Sequence, residues 1–214
     1  MKAREEILRR VASTHVAAPD HAIRREYSQT RELPDLLGQF VGRVEDYKAT
    51  VVRTDPDGVA TAVAKCLVGA GTVVVPPGFN ASWVPEGLDI VHDEPVLRAD
   101  QLDAVDAVLT CAVVGIAVTG TIVLDHTEGQ GRRALTLVPD LHVCVVTADQ
   151  VVGDVPEAVA RLTASVNNGR PLTWISGGSA TVDIELQRVE GVHGPRTLRV
   201  VLVEPTPAVG GAPG

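Results

Sequence analysis

The sequence predicts an α/β fold with a mixed, mainly parallel sheet, on three observations. From residue 49 onward, strand-like and helix-like stretches alternate, the order that gives parallel pairing. Between 107 and 146 several short strand-like runs follow one another with little between them, which adds antiparallel pairing. The core palette agrees: 45% of the 214 residues are hydrophobic, yet only Tyr27, Phe40, Tyr47, Phe79, Trp83 and Trp174 are aromatic, so Val, Leu, Ile and Ala fill the interior as they do in buried parallel strands.

The elements read in order as follows. Residues 2–12 carry Ile7, Leu8 and Val11 at helical spacing, and Pro34 opens a second amphipathic helix with Leu37, Phe40, Val41 and Val44 at i, i+3, i+4 and i+7. Together, residues 1–48 read as a small helical appendage. "TVVR" at 50–53 is a strand. Asp55-Pro56 then starts a helix that runs to about Val68 and stops at Gly69 and Gly71. "TVVVP" (72–76), "LDIV" (88–91), a helix near 99–105 and "AVLT" (107–110) follow. "GIAVTGTIVL" (115–124) reads as two strands pinched around Thr119-Gly120-Thr121. Beyond it lie "ALTLV" (134–138), "HVCVV" (142–146), a helix over 154–167, "LTWIS" (172–176) and "LRVVLV" (198–203). Residues 205–214, Pro- and Gly-rich with little bulk, read as a disordered tail after a domain spanning 49–204.

Charge and cysteine content narrow the function classes. A net charge of −8 and a pI near 5.2 repel phosphates, which argues against nucleic acid and anionic lipid as partners. No run of 18 apolar residues marks a membrane span, and "MKAREEILRR" lacks the apolar core of a signal peptide. Cys66, Cys111 and Cys144 are odd in number and scattered, the pattern of a reducing, cytoplasmic compartment. They cannot supply a four-cysteine cluster site, so the expectation is a chain with no metal and no cofactor of its own.

Four stretches carry candidate chemistry. Around Gly120, Thr119 and Thr121 either present hydroxyls and N–H groups to a ligand or merely turn a hairpin. In "DHTEGQGRR" (125–133), Arg132 and Arg133 offer adjacent guanidiniums for a phosphate or carboxylate, against the plain reading of a solvated loop. "SGGSATVDIE" (176–185) reads as a strand–loop–helix turn, with Gly177, Ser179 and Thr181 as ligand contacts. Asp183 and Glu185 would fall in the first helical turn, where they complement the helix dipole, repel phosphate and favour a hydroxyl-bearing ligand or a general-base role. In "GVHGPR" (191–196), His193 sits between glycines, suited to acid or base work, although a loop histidine is often plain surface. His142 and Cys144 share a strand face, lack a further ligand, and read as packing residues; His92 reads as a loop residue.

Taken together, "GIAVTGTIVLD", "GRRALTLVPDLHVCVV" and "SGGSATVDIELQRVEGVHGPRTLRVVLV", in that order, resemble the LUD-domain family in its lactate-utilization branch, over roughly residues 49–204. The resemblance implies the three-layer fold shared by ribose-phosphate isomerase, glucosamine-phosphate deaminase and CoA transferases. It also implies a subunit or accessory role in oxidising L-lactate to pyruvate alongside two iron–sulphur partner proteins that carry the electrons, with a small carboxylate as ligand. His193, Asp183 and Glu185 are the candidate acid/base groups, and Thr119, Gly120, Thr121, Arg132, Arg133, Gly177, Ser179 and Thr181 the candidate contacts; the Thr119–Thr121 bend, the Ser179/Thr181 turn and the His193 loop are expected to converge at the carboxyl ends of the parallel strands, where ligands meet loops in related folds. Two positions depart from the family pattern: Val118 stands where the family usually has Glu before the bend, and Gly177-Gly178-Ser179 where it has Gly-Pro-Ser. The rival readings are a stand-alone enzyme acting on a small carboxylate, CoA ester or sugar phosphate, and a non-catalytic assembly or regulatory protein.

Overall fold

The computed structural model describes residues 3–14, 26–178, 180–181, 189–190 and 194–206. Helix α1 (Ala3–Ser13) is followed by α2 (Leu36–Asp46), where Asp35 caps by accepting from the Gly38 N–H at 2.9 Å. Phe40 and Val44, one helical turn apart, drive α2 into the core beside the sheet. Strand β1 (Thr50–Thr54) leads through a capped turn at Asp55-Pro56 into α3 (Val59–Cys66), whose Val59, Ala62, Val63 and Cys66 form one buried stripe. Then come β2 (Thr72–Val74), β3 (Asp89–Val91), α4 (Ala99–Asp103) and β4 (Ala107–Cys111). The predicted hairpin is β5 (Val114–Ile116) and β6 (Thr121–Leu124). The remainder is β7 (Leu141–Thr147), β8 (Val151–Val152), α5 (Val155–Asn167), β9 (Thr173–Ile175), β10 (Ala180–Thr181), β11 (Val189–Glu190) and β12 (Thr197–Val203).

Six strands form a wholly parallel sheet in the order β1-β12-β7-β4-β2-β3. The antiparallel addition is a sheet of its own, β8-β5-β6-β9, in which β5 runs antiparallel to β6 and β6 to β9. Side-chain alternation along β7 divides the interior. Val143 and Val145 face α3, while Cys144 and Val146 face the small sheet and α2, meeting Ile122, Leu124 and Phe40. Helix α5, started by Asp154 and Glu157 in a reciprocal cap, covers the outer face of the small sheet with Ala158 and Leu162.

Two local expectations change. "ALTLV" is not a strand: Arg133–Thr136 is a 3₁₀ turn with Leu135 packed on Val74, Leu102 and Val108. β4 already has β7 and β2 on its two edges, so no edge beside it is free to receive another strand. Nor does the segment after Gly178 pass directly into a helix, because Ala180–Thr181 pairs antiparallel with Val189–Glu190. The sequence from 181 alternates polar and apolar residues with period two, which is strand patterning. Residues 207–214, most of the predicted tail, lie outside the described residues.

Candidate functional site

Strand β9 pairs with β6 and delivers Ser176, Gly177 and Gly178 to the large sheet. Gly177 (φ +81°) lies hard against the Tyr47 side chain, and a Cβ on Gly178 would come within 2.5 Å of the Arg196 carbonyl oxygen. Tyr47 precedes β1 and Arg196 precedes β12, so this loop crosses the amino-terminal ends of the parallel strands. The Gly177–Gly178 loop thus lies at the amino-terminal ends of β1 and β12 and not at the carboxyl ends, where the turn after this strand was expected.

A cavity of about 340 Å³ opens there, lined among others by Arg133, His142, Trp174, Ser176, Gly177 and Gly194. The Arg133 guanidinium is exposed and makes no hydrogen bond or ion pair with any described residue. Ser176 ends a chain of hydroxyls: Thr119 Oγ1 donates to Thr121 Oγ1 at 2.8 Å, and Thr121 lies 2.8 Å from Ser176 Oγ. Either hydroxyl of the Thr121–Ser176 pair can be the donor, and Ser176 lines the cavity. Trp174 stands on the wall, 43% exposed, as a face for apolar or planar groups.

His142 is the deepest polar group of the cavity, 1% exposed. Its Nε2 is 2.8 Å from Thr110 Oγ1. Burial pushes its pKa down to about 4, so the ring is neutral at physiological pH. A second histidine braces the wall from behind. His126, at φ +59°, has Nδ1 2.8 Å from the Gly131 carbonyl, to which it must donate, and Nε2 2.8 Å from Thr173 Oγ1. The neighbouring Asp125 is buried and accepts from Ser165 Oγ at 2.6 Å, Thr127 Oγ1 at 2.7 Å and Gln130 Nε2 at 3.0 Å. Burial disfavours its charge, but these bonds outweigh that and its pKa falls below the usual carboxylate value.

The predicted contacts are therefore dispersed. Arg133 and Gly177 meet in the cavity, and Thr121 reaches it through Ser176. Gly120 turns the hairpin against the backbone of α2, where a Cβ would sit 2.5 Å from the Arg43 carbonyl carbon. Arg132 points elsewhere, its guanidinium held by Asp93 and the Leu97 carbonyl. Thr181 lies in β10. Ser179, Asp183, Glu185 and His193 lie outside the described residues. Among the described residues no group of three or more His, Cys, Asp or Glu side chains is placed to hold a metal ion, and no helix is long and apolar enough to cross a membrane.

The LUD-domain model matches residues 80–203. The chain belongs to the LUD-domain family. This LUD chain is 53% identical over 169 residues to Lactate utilization protein C of Deinococcus radiodurans, covering 79% of the chain and 80% of that protein. It is 24% identical over 213 residues to the protein of the same name from Bacillus licheniformis, covering 89% and 85%. The crystal structure of a DUF162 family protein from Deinococcus radiodurans superposes with a TM-score of 0.71 at 48% identity, over 78% of this chain and 96% of that one. Sequence reasoning missed His142, Ser176 and Trp174 as parts of this LUD-domain cavity, and His126 as the partner of its Thr173. Only Trp174 carried a signal: a large aromatic in a chain with few of them, on a strand too short to bury it.

Proposed function

We propose that this chain is the carboxylate-binding component of an L-lactate utilization system, in which iron–sulphur partner proteins carry the electrons when lactate is oxidised to pyruvate. The observation that carries the reading is the cavity itself: a guanidinium without a partner among the described residues, a serine hydroxyl and a buried imidazole line one space. A carboxylate answers the Arg133 charge with two parallel N–H···O bonds, and the remaining lone pairs of its two oxygens can accept from Ser176 or from N–H groups of the glycine loop. The naming of the relatives as Lactate utilization protein C supports lactate and pyruvate as the carboxylates concerned.

His193, with Asp183 or Glu185, is proposed to move the proton while the partners take the electrons. Calorimetric titration of the full chain with L-lactate and pyruvate tests the reading. Saturable binding that weakens in Arg133→Ala, with an unchanged melting temperature, supports it; no binding of either acid by a folded protein refutes it.

A further inference from the structure

The ring of His126 connects two cavities. His126 lies in the loop after β6 at φ +59°, a left-handed backbone that a residue with a Cβ keeps only when its surroundings hold it there. Three contacts do so. The His126 N–H donates to Gln130 Oε1 at 3.1 Å, Nδ1 lies 2.8 Å from the Gly131 carbonyl oxygen, and Nε2 lies 2.8 Å from Thr173 Oγ1. A carbonyl oxygen only accepts, so Nδ1 carries a hydrogen whether the ring is neutral or charged. The Thr173 contact changes direction instead. In the neutral ring Nε2 accepts from the Thr173 hydroxyl; in the charged ring Nε2–H donates and the threonine oxygen accepts. Thr173 lines the cavity of about 340 Å³, while His126 lines an adjoining one of about 440 Å³ with Pro77, Glu128 and Pro171. Arg133 lines both.

We propose that His126 is the proton-linked group of this site: a carboxylate bound at Arg133 draws a proton from solvent onto His126 Nε2, and the Thr173 hydroxyl hydrogen, no longer given to that nitrogen, is free for the ligand. The proposal rests on the carboxylate reading above. The other charges around the ring are paired. Asp125 accepts from Ser165, Thr127 and Gln130 with the Arg170 guanidinium 3.6 Å away, and Arg132 is paired with Asp93. Glu128 and Arg133 remain, neither with a hydrogen bond or ion pair to a described residue, and Pro77 and Pro171 bring no charge. In the empty site a charged ring stands against the positive charge of Arg133 in a shared cavity. A bound carboxylate cancels that charge and favours the proton. Linkage makes the effect reciprocal, so a proton on His126 tightens the carboxylate. An imidazole exchanges its proton near neutral pH, and His126 is only half-buried, with the outer cavity as its path to solvent. Anion and proton thus enter together, and the net charge of the site is kept.

The test is calorimetry of the full chain with pyruvate and with L-lactate, in two buffers of different ionisation enthalpy, whose difference counts the protons taken up. The expected result is net proton uptake on binding, and an affinity about tenfold higher near pH 6 than near pH 8, the size of a coupling worth about one pH unit. His142, with a pKa lowered to about 4 by burial, stays neutral over that range. His126→Asn, a side chain that tolerates the left-handed backbone, still binds but loses both the uptake and the pH dependence. Thr173→Val, of the same shape without the hydroxyl, shows a reduced uptake. With ¹⁵N-histidine labelling and the His126 signals assigned by their loss in His126→Asn, Nδ1 is protonated throughout and Nε2 gains a proton when pyruvate is added. Undiminished uptake in either variant, or an affinity in the parent that does not vary with pH, overturns the proposal while leaving the carboxylate reading standing. Binding of neither acid overturns both.

Discussion

The Arg132 guanidinium and the Asp93 carboxylate close a two-pronged ion pair, with Nε 2.6 Å from Oδ2 and Nη2 3.0 Å from Oδ1. The same guanidinium donates to the Leu97 carbonyl at 2.6 Å, so it ties the loop before α4 to the turn before β7. Burial opposes the Asp93 charge, but the bonds from Arg132 and the Leu97 N–H overcome it and hold the carboxyl below its usual pKa. The adjacent Arg133 has no such partner among the described residues and lines the cavity. Two neighbouring arginines thus have different surroundings. Arg132→Ala is expected to cost about 1–3 kcal/mol of stability, the guanidinium being partly exposed and Asp93 losing its main partner, with carboxylate affinity unchanged. Arg133→Ala is expected to do the reverse, weakening carboxylate binding by about 1.5–3 kcal/mol at constant stability. Urea melts and calorimetry on both variants check the assignment; equal effects on affinity would contradict it.

Gly120 is a structural demand of the hairpin. It has φ +60°, and a Cβ there would lie 2.5 Å from the Arg43 carbonyl carbon and 2.7 Å from the Val44 nitrogen, both backbone atoms of α2. Gly120→Ala adds left-handed strain to a backbone clash and is expected to destabilise by more than about 2 kcal/mol. The urea midpoint measures this, and a variant as stable as the parent would show that α2 yields at no cost.

Stability should fall on mild acidification because of His142. Its pKa is lowered by burial from 6.5 to about 4 in the folded chain. Between those values the unfolded ring binds a proton and the folded ring does not, so stability is complete above pH 6.5 and declines as pH falls towards 4, by roughly 3 kcal/mol across the window. Asp93 and Asp125, with lowered pKa values, act in the same sense only at more acidic pH, where their stabilisation is lost. Urea midpoints at a series of pH values give the slope, and His142→Asn should flatten it; an equal slope in that variant assigns the effect elsewhere.

The thiols are expected to be unreactive in the native chain. Burial raises the pKa of Cys111 to about 11 and of Cys144 to about 12, and raises that of Cys66 as well. Thiolate, the reactive form, is scarce at neutral pH in all three. Reaction with a disulfide reagent should be slow when folded and stoichiometric in denaturant. Rapid native labelling of any of the three would show that its site opens to solvent.

Local order was written in the sequence. The helical stripe of Phe40 and Val44, the cap at Asp55-Pro56, the β5–β6 hairpin and the parallel core all follow from spacing and backbone preference, which act over a few residues. Three ordered blocks of motif were also enough to indicate the family, because their residues need only be compared along the chain. Other features depended on partners far away in sequence. "ALTLV" has the composition of a strand, but β4 had no free edge to pair it, so it became a 3₁₀ turn under Leu135. Arg132 and Arg133 are indistinguishable by sequence, and Asp93, 39 residues away, gives them different surroundings. His142 looked like a packing residue because its partner Thr110 is 32 positions distant and the cavity it lines is completed by a third segment, Ser176–Gly178. Sequence determined which elements form and which family they compose. Which polar atoms face the cavity was decided by tertiary packing, because a hydrogen bond is satisfied in space and its partner is not constrained by position along the chain.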